Sequence, residues 1–323
     1  MSPVGWKPNE DSKPGAILVI ATLDTKEEEA IYLCEAIRRE GLGTILMDVG
    51  ILASPQKSRP DISREEVAAA AGTDIRELLE RGDKGTCIRT MIEGARKVAR
   101  ALYEQGKYSG VVGIGGAQGT NIATSVMRDL PFGVPKFMLS TIACGTTTFG
   151  PLVGTKDVTI MHSVVDLQGL NILTKKVLQN AAAAICGMVR SSAIFSAEVG
   201  EGNRLVAMSM LGTTTQGALH AKKLLEKRGF QVVAFHQNGT GGIAMEELIQ
   251  EGVFIGVLDM NLHELADLVV GGLHAAIRDC RLESASLLGL PQAIAPGSID
   301  YSVRGPVNTL PPEMTKRKYV VHN

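Results

Sequence analysis

Residues 110–123, GVVGIGGAQGTNIA, offer more main-chain nitrogen than side-chain chemistry. Their glycines, Gly113, Gly115 and Gly119, give neither G-x-G-x-x-G nor a P-loop, because no lysine follows them. Glycine lets a backbone approach a ligand closely, and a helix N-terminus adds about half a positive charge. Gly115, Gly116, Gly119 and Thr120 are therefore the first candidates to hold a phosphate through amides, with Gln118 in the same turn. The missing lysine must be replaced by Mg²⁺, by helix dipoles or by Lys26. Lys26 as a plain solvated side chain is the competing reading.

Other polar residues gather at what read as strand ends. Asp24 and Asp48 could hold Mg²⁺ through water, or a ribose hydroxyl; alternatively Asp24 only supports a helix start. Thr25 belongs to the same turn. Ser140, Thr141 and Gly145 lie in STIACGTTT and could bond phosphate or base. In the second half, Gly212, Thr213 and Thr214 open GTTTQG, and Gly239, Thr240 and Gly241 lie in HQNGTGG. His236, with Asp259 and Asp300 on other strand ends, could supply acid/base chemistry. His263 and Asp267 share an i, i+4 spacing, but without H-E-x-x-H no metal site is expected.

The elements that must carry these residues repeat. ILVIATLDTKEEEAIYLCEAIRREGLGTILMDVG and LVAMSMLGTTTQGALHAKKLLEKRGFQVVAFHQN align without a gap at an offset of 188 residues, Gly41 to Gly229 and Thr25 to Thr213. Each reads as strand, polar turn, amphipathic helix, glycine stop and strand, a βαβ unit. Thr25-x-x-Glu28 and Thr213-x-x-Gln216 read as capping boxes, and Gly41 and Gly229 as left-handed helix stops. Further strands are expected in GVVGIGG, KFMLST, DVTIMHSVVD, FIGVLDM, QAIAPG and KYVVHN, and one long helix over LHELADLVVGGLHAAIRD. The fold class that follows is α/β, two Rossmann-like domains, each a mostly parallel sheet covered by helices on both faces. The expected boundaries are a flexible tail over 1–15, a first domain over 16–192, a linker over 193–203 and a second, truncated domain over 204–323. Ligands of such sheets bind beyond the carboxyl ends of the strands, where the glycine- and threonine-rich tips fall.

The totals restrict the partners. Over 323 residues the formal net charge is -1 and aromatics are 4%, which argues against nucleic acid and anionic membranes. No apolar run is long enough to span a bilayer, and the polar, proline-bearing start is not a signal peptide. Five scattered cysteines without C-x-x-C suit reduced thiols and a cytoplasmic location.

GVVGIGGAQGTNIA, VPKFMLSTIACG, VVDLQGLNILTKKVLQNAAAAICGMV, FHQNGTGGIAMEELI and PQAIAPGSIDY, in that order, resemble one family. It is the family of the ATP-binding N-terminal domain of the tomato mosaic virus resistance protein and its bacterial homologues. The resemblance implies two Rossmann-like domains, ATP binding and a homodimer. It also implies a TIM-barrel partner protein resembling phosphoenolpyruvate hydrolase. It carries over no reaction. The chain has Cys144 where the pattern has Ser or Ala, and His263 where it has Thr before Glu264, so neither residue inherits a family role. The expected function is nucleotide (ATP) binding. The alternatives are an ATP-using ligase or lyase acting on a small carboxylate substrate, and a non-catalytic regulatory module with ATP as effector.

Overall fold

Short apolar runs between glycine- and proline-rich turns become strands here, and helices alternate with them along the chain. In the computed structural model, which describes residues 15–80, 83–145, 147–198, 204–275 and 281–321, the chain divides into two units near residue 200.

The first unit runs β1 (Ala16–Ala21), α1 (Leu23–Arg39), β2 (Thr44–Asp48), α2 (Arg64–Ala70), α3 (Ile75–Glu80), α4 (Lys84–Glu104) and β3 (Tyr108–Gly115). It continues through α5 (Ala117–Asp129), β4 (Lys136–Ser140), α6 (Gly150–Val153), β5 (Thr159–His162) and α7 (Ile172–Glu198). Its sheet order is β2-β1-β3-β4-β5, with every pairing parallel. Successive strand residues face opposite sides. Leu18 and Ile20 join one core with Met47, Met91 and Ile122, while Ile17, Val19 and Ala21 join another with Leu33, Ile37 and Leu178. A sheet buried on both faces is why β1 and β3 read as continuous apolar runs.

The second unit runs β6 (Leu205–Met210), α8 (Thr215–Glu226), β7 (Gln231–His236), α9 (Gly241–Gln250), β8 (Gly256–Asp259), α10 (His263–Val270), α11 (Ser284–Leu287), β9 (Gln292–Ile294) and α12 (Pro312–Thr315). Its order is β7-β6-β8-β9, again all parallel. The two sheets thus repeat one strand order, as the aligned halves of the sequence imply. Gly41 and Gly229 take the expected positive φ, 84° and 80°.

Four local expectations change. Neither capping box forms: α1 already starts at Leu23, so Thr22 O receives the Thr25 and Lys26 amides, and α8 follows a 3₁₀ turn over Gly212–Thr214. Helix α7 continues to Glu198, so residues 193–198 are helix rather than linker, while 199–203 and the tail over 1–14 lie outside the described residues. Helix α10 stops at Val270, because Gly271 turns the chain left-handed with φ 74°. The KYVVHN stretch forms no strand over its described residues 318–321.

Candidate functional site

A parallel sheet of this order changes winding direction between β1 and β3, and ligands of such sheets bind outside the carboxyl ends of the strands at that reversal. The β3 loop passes straight into α5. A β-carbon on Gly115 would lie 2.9 Å from Gly119 Cα, so the two glycines let the first turn of α5 lie against the strand end. Gly116 is the N-cap and brings no side chain, so the amides of Ala117, Gln118 and Gly119 have no acceptor among the described residues. Gly116 and Gln118 are half-buried and Ala117 is exposed. Across the crevice, the β1 loop places Thr22 Cγ2 3.9 Å from a β-carbon built on Gly119.

Lys26 lies in that same β1 loop. It breaks the helical path of α1, with φ -130° and ψ 29°, and is only 8% exposed. Among the described residues its ammonium has no hydrogen-bond or ion-pair partner.

The structure withdraws several neighbours from the set available to a ligand. Thr120 donates its amide to Gly116 O, and its buried hydroxyl lies 2.7 Å from the buried Ser140 hydroxyl, so the pair ties α5 to β4. Thr25 Oγ1 rests 3.2 Å from Thr22 Oγ1 inside the β1 turn. Asp48 is fully buried, and its Oδ1 accepts the amides of Leu23 at 3.0 Å and Gly50 at 2.8 Å. Burial pushes its carboxyl up to about 6, against the Gly50 and Leu23 amides that favour its charged form. Asp24 Oδ2 accepts the amides of Ile51 and Leu52. Asp24 and Asp48 therefore fasten the chain after β2 to the β1 turn. Thr141 donates its amide to Gly115 O, is half-exposed and remains at the crevice rim, followed by exposed Gly145 with φ 58°.

The corresponding crevice of the second unit, between β6 and β8, is filled by the chain itself. Ser298 meets the Thr213 hydroxyl, and Asn261 Nδ2 donates to Ser298 Oγ at 2.7 Å and to Thr214 Oγ1 at 3.2 Å. Gly212, Thr213 and Thr214 therefore serve internal bonds. The start of α9 already holds a carboxyl group: Glu264 Oε1 accepts the Gly239 amide at 2.8 Å and the Gly242 amide at 3.2 Å. Gly241 packs on the backbone, a β-carbon there falling 1.8 Å from His236 O, and Thr240 Oγ1 turns to Asn238 at 3.3 Å. The phosphate cradle expected at Gly239, Thr240 and Gly241 is thus occupied by the protein's own carboxylate.

The acid/base trio is not assembled either. Asp259 is fully buried and bound by Arg281 and Ser209, whereas His236 and Asp300 are exposed. No hydrogen bond or ion pair among the described residues links the three. Arg281, 6% exposed, also meets Glu246 and Glu264 and donates to Gln237 Oε1 at 3.1 Å. Nothing local in the sequence marks this network, because its members come from separate turns. Beside it, His263, Asp267 and His274 bring one ligand atom each within 4.8 Å of one another. Only the first two share a helix; the turn at Gly271 supplies His274. Burial and neighbouring His263 hold the His274 imidazole below its ordinary range.

The four described cysteines are free, and no described helix is long and apolar enough to cross a membrane. Sequence comparison extends the picture. Models of the N-terminal and C-terminal domains of Uncharacterised protein family (UPF0261) match residues 15–193 and 203–323. A UPF0261 protein of Clostridium tetani is 43% identical over 307 residues, 95% of this chain and 74% of that one. A UPF0261 protein of Rhizobium meliloti is 38% identical over 307 residues, covering 94% and 72%. The ToMV resistance protein Tm-1(GCR237) of Solanum lycopersicum is 32% identical over 323 residues, 95% of this chain but 42% of that protein. With both halves matched in order, the chain belongs to the UPF0261 family.

Proposed function

We propose that this chain binds a phosphorylated nucleotide, ATP in the first instance, at the β1–β3 crevice of its first unit. The observation that carries the reading is the start of α5, where the amides of Ala117, Gln118 and Gly119 have no acceptor among the described residues. The amides of Ala117, Gln118 and Gly119 would take phosphate oxygens, Lys26 would neutralise charge, and Thr141 and Gly145 would line the rim. Mg²⁺ would balance the remaining phosphate charge. The tie of Asp259 to Arg281 removes one member of the expected acid/base trio, which favours binding without turnover over a ligase or lyase. A homodimer and a TIM-barrel partner follow from the same family reading, and sedimentation and co-purification test them; a cytoplasmic setting follows from the scattered cysteines, and cell fractionation tests it.

Calorimetry with ATP, ADP and NAD tests the site. Wild type is expected to bind ATP, and Lys26→Ala to weaken it roughly tenfold to hundredfold, the scale of one charge-assisted contact. Gly116→Val keeps an allowed backbone, φ -81° and ψ -155°, with Thr141 Oγ1 3.6 Å from the new β-carbon, yet screens the amides. It is expected to abolish binding without unfolding the chain. Wild type ignoring all three nucleotides would end the nucleotide reading. Wild-type affinity in both variants would move the ligand elsewhere.

A further inference from the structure

The sequence gives no reason to expect a metal, because His263 and Asp267 are only two ligands on one helix. The fold adds a third. Helix α10 puts His263 and Asp267 one turn apart with both side chains wholly buried, His263 Nε2 lying 3.5 Å from Asp267 Oδ2. The left-handed turn at Gly271 then folds the chain back over the same helix face. It is fixed there by the His274 amide donating to Asp267 Oδ2 at 3.0 Å and the Val303 amide donating to Oδ1 at 3.2 Å.

Two ring nitrogens in this group are buried and have no hydrogen-bond partner: His263 Nε2 and His274 Nδ1. The other nitrogen of His263, Nδ1, lies 3.3 Å from the carbonyl oxygen of Ser298. A carbonyl can only accept, so this contact calls for a proton on Nδ1 and turns Nε2, the nitrogen available to a metal, toward Asp267. A neutral imidazole oriented from behind by a carbonyl is the state in which histidine binds metal. Tyr301 stacks on the His263 ring at 4.5 Å and holds its plane.

We propose that His263 Nε2, Asp267 Oδ2 and His274 Nδ1 bind one divalent transition-metal ion of the zinc class. Two imidazoles and one carboxylate select zinc or cobalt over the hard, oxygen-seeking calcium and magnesium. Bonds of about 2.05 Å at tetrahedral angles put ligand atoms about 3.3 Å apart. His263 and Asp267 already stand near that separation, and the turn bearing half-buried His274 supplies the remaining closure. No fourth His, Cys, Asp or Glu joins the group among the described residues, so one coordination position is left for water or a ligand, the pattern of zinc sites that act on substrates.

The test uses the full chain, stripped with chelator and titrated with zinc chloride by calorimetry and with cobalt chloride by visible absorption. Wild type is expected to bind one ion per chain and to show the intense bands of four-coordinate cobalt. His274→Ala, in a turn rather than in the core, is expected to lose affinity at least a hundredfold and to lose those bands, while its chelated form melts like chelated wild type. His220→Ala, on exposed α8, is the control and is expected to bind as wild type does. If wild type binds no stoichiometric ion, or if His274→Ala and wild type bind alike, the proposal is overturned. It is also overturned if His220→Ala loses the ion equally. Should His274→Ala fail to fold, cobalt bands in wild type that shift on mixing with imidazole support the site, and octahedral bands unchanged by imidazole overturn it.

Discussion

Arg281 Nη2 lies 2.7 Å from Asp259 Oδ1, and Nη1 binds the second oxygen, so a buried guanidinium grips the carboxylate that ends β8. The grip spans 22 residues of sequence and converts a candidate acid into a structural anion. It also balances Glu246 and Glu264, which meet the same guanidinium.

Removing that cation strands three carboxylates in the interior. Arg281→Met is expected to cost about 3–5 kcal/mol, the scale of breaking a buried ion pair from one side. Urea unfolding followed by circular dichroism measures it. Neutralising the acids in the same background, with Asp259→Asn and Glu264→Gln, is expected to restore part of the loss. No restoration would mean that the acids are not the source of the penalty.

Asp48 gives a pH signature of the first unit. Burial raises its folded carboxyl from 3.8 to about 6, so the folded state holds the proton more tightly than the unfolded one. Its ionisation therefore removes stability as pH rises from about 4 to about 6, and the loss is complete above the folded value. Asp48→Asn keeps an acceptor for the Leu23 and Gly50 amides and cannot ionise. The variant is expected to gain on wild type across that window, by roughly 1–3 kcal/mol at pH 7. Melting curves at pH 4 and pH 7 check this; a gap that does not widen with pH contradicts it.

Gly94 is the close-approach point of α2 and α4. A β-carbon there would lie 1.8 Å from the backbone oxygen of Val67, which no rotamer change can relieve. Gly94→Ala is expected to cost about 3 kcal/mol or more, at or beyond the upper range of overpacked sites. Thermal unfolding reads the loss, and a wild-type melting temperature would show that the two helices separate freely.

Lys136 carries the wholly buried cation of β4. Its ammonium donates to the carbonyls of Pro131 at 2.7 Å and Val134 at 2.9 Å and to Asp157 Oδ1 at 2.8 Å. Lys136→Met fills the volume but drops these donors, leaving buried carbonyls unpaired, and is expected to destabilise the first unit by about 2–4 kcal/mol. Denaturant titration measures the effect. A loss under about 1 kcal/mol would mean that water replaces the donors.

Sequence alone determined what depends on short-range periodicity and turn chemistry. The two βαβ repeats, the parallel sheets, the glycine stops at Gly41 and Gly229, and the glycine loop at the end of β3 could all be read from spacing. Neighbours along the chain set them. Only the tertiary structure decided which cradle has room. The loops after β3 and β7 look alike as sequence, yet Glu264, 25 residues away, fills the second, while no described residue accepts the first amides of α5. The same holds for Asp259, claimed by Arg281, and for His263 and Asp267, joined by His274 through a turn. Charge pairing is governed by distance in space and by exclusion of water, and a linear pattern contains neither.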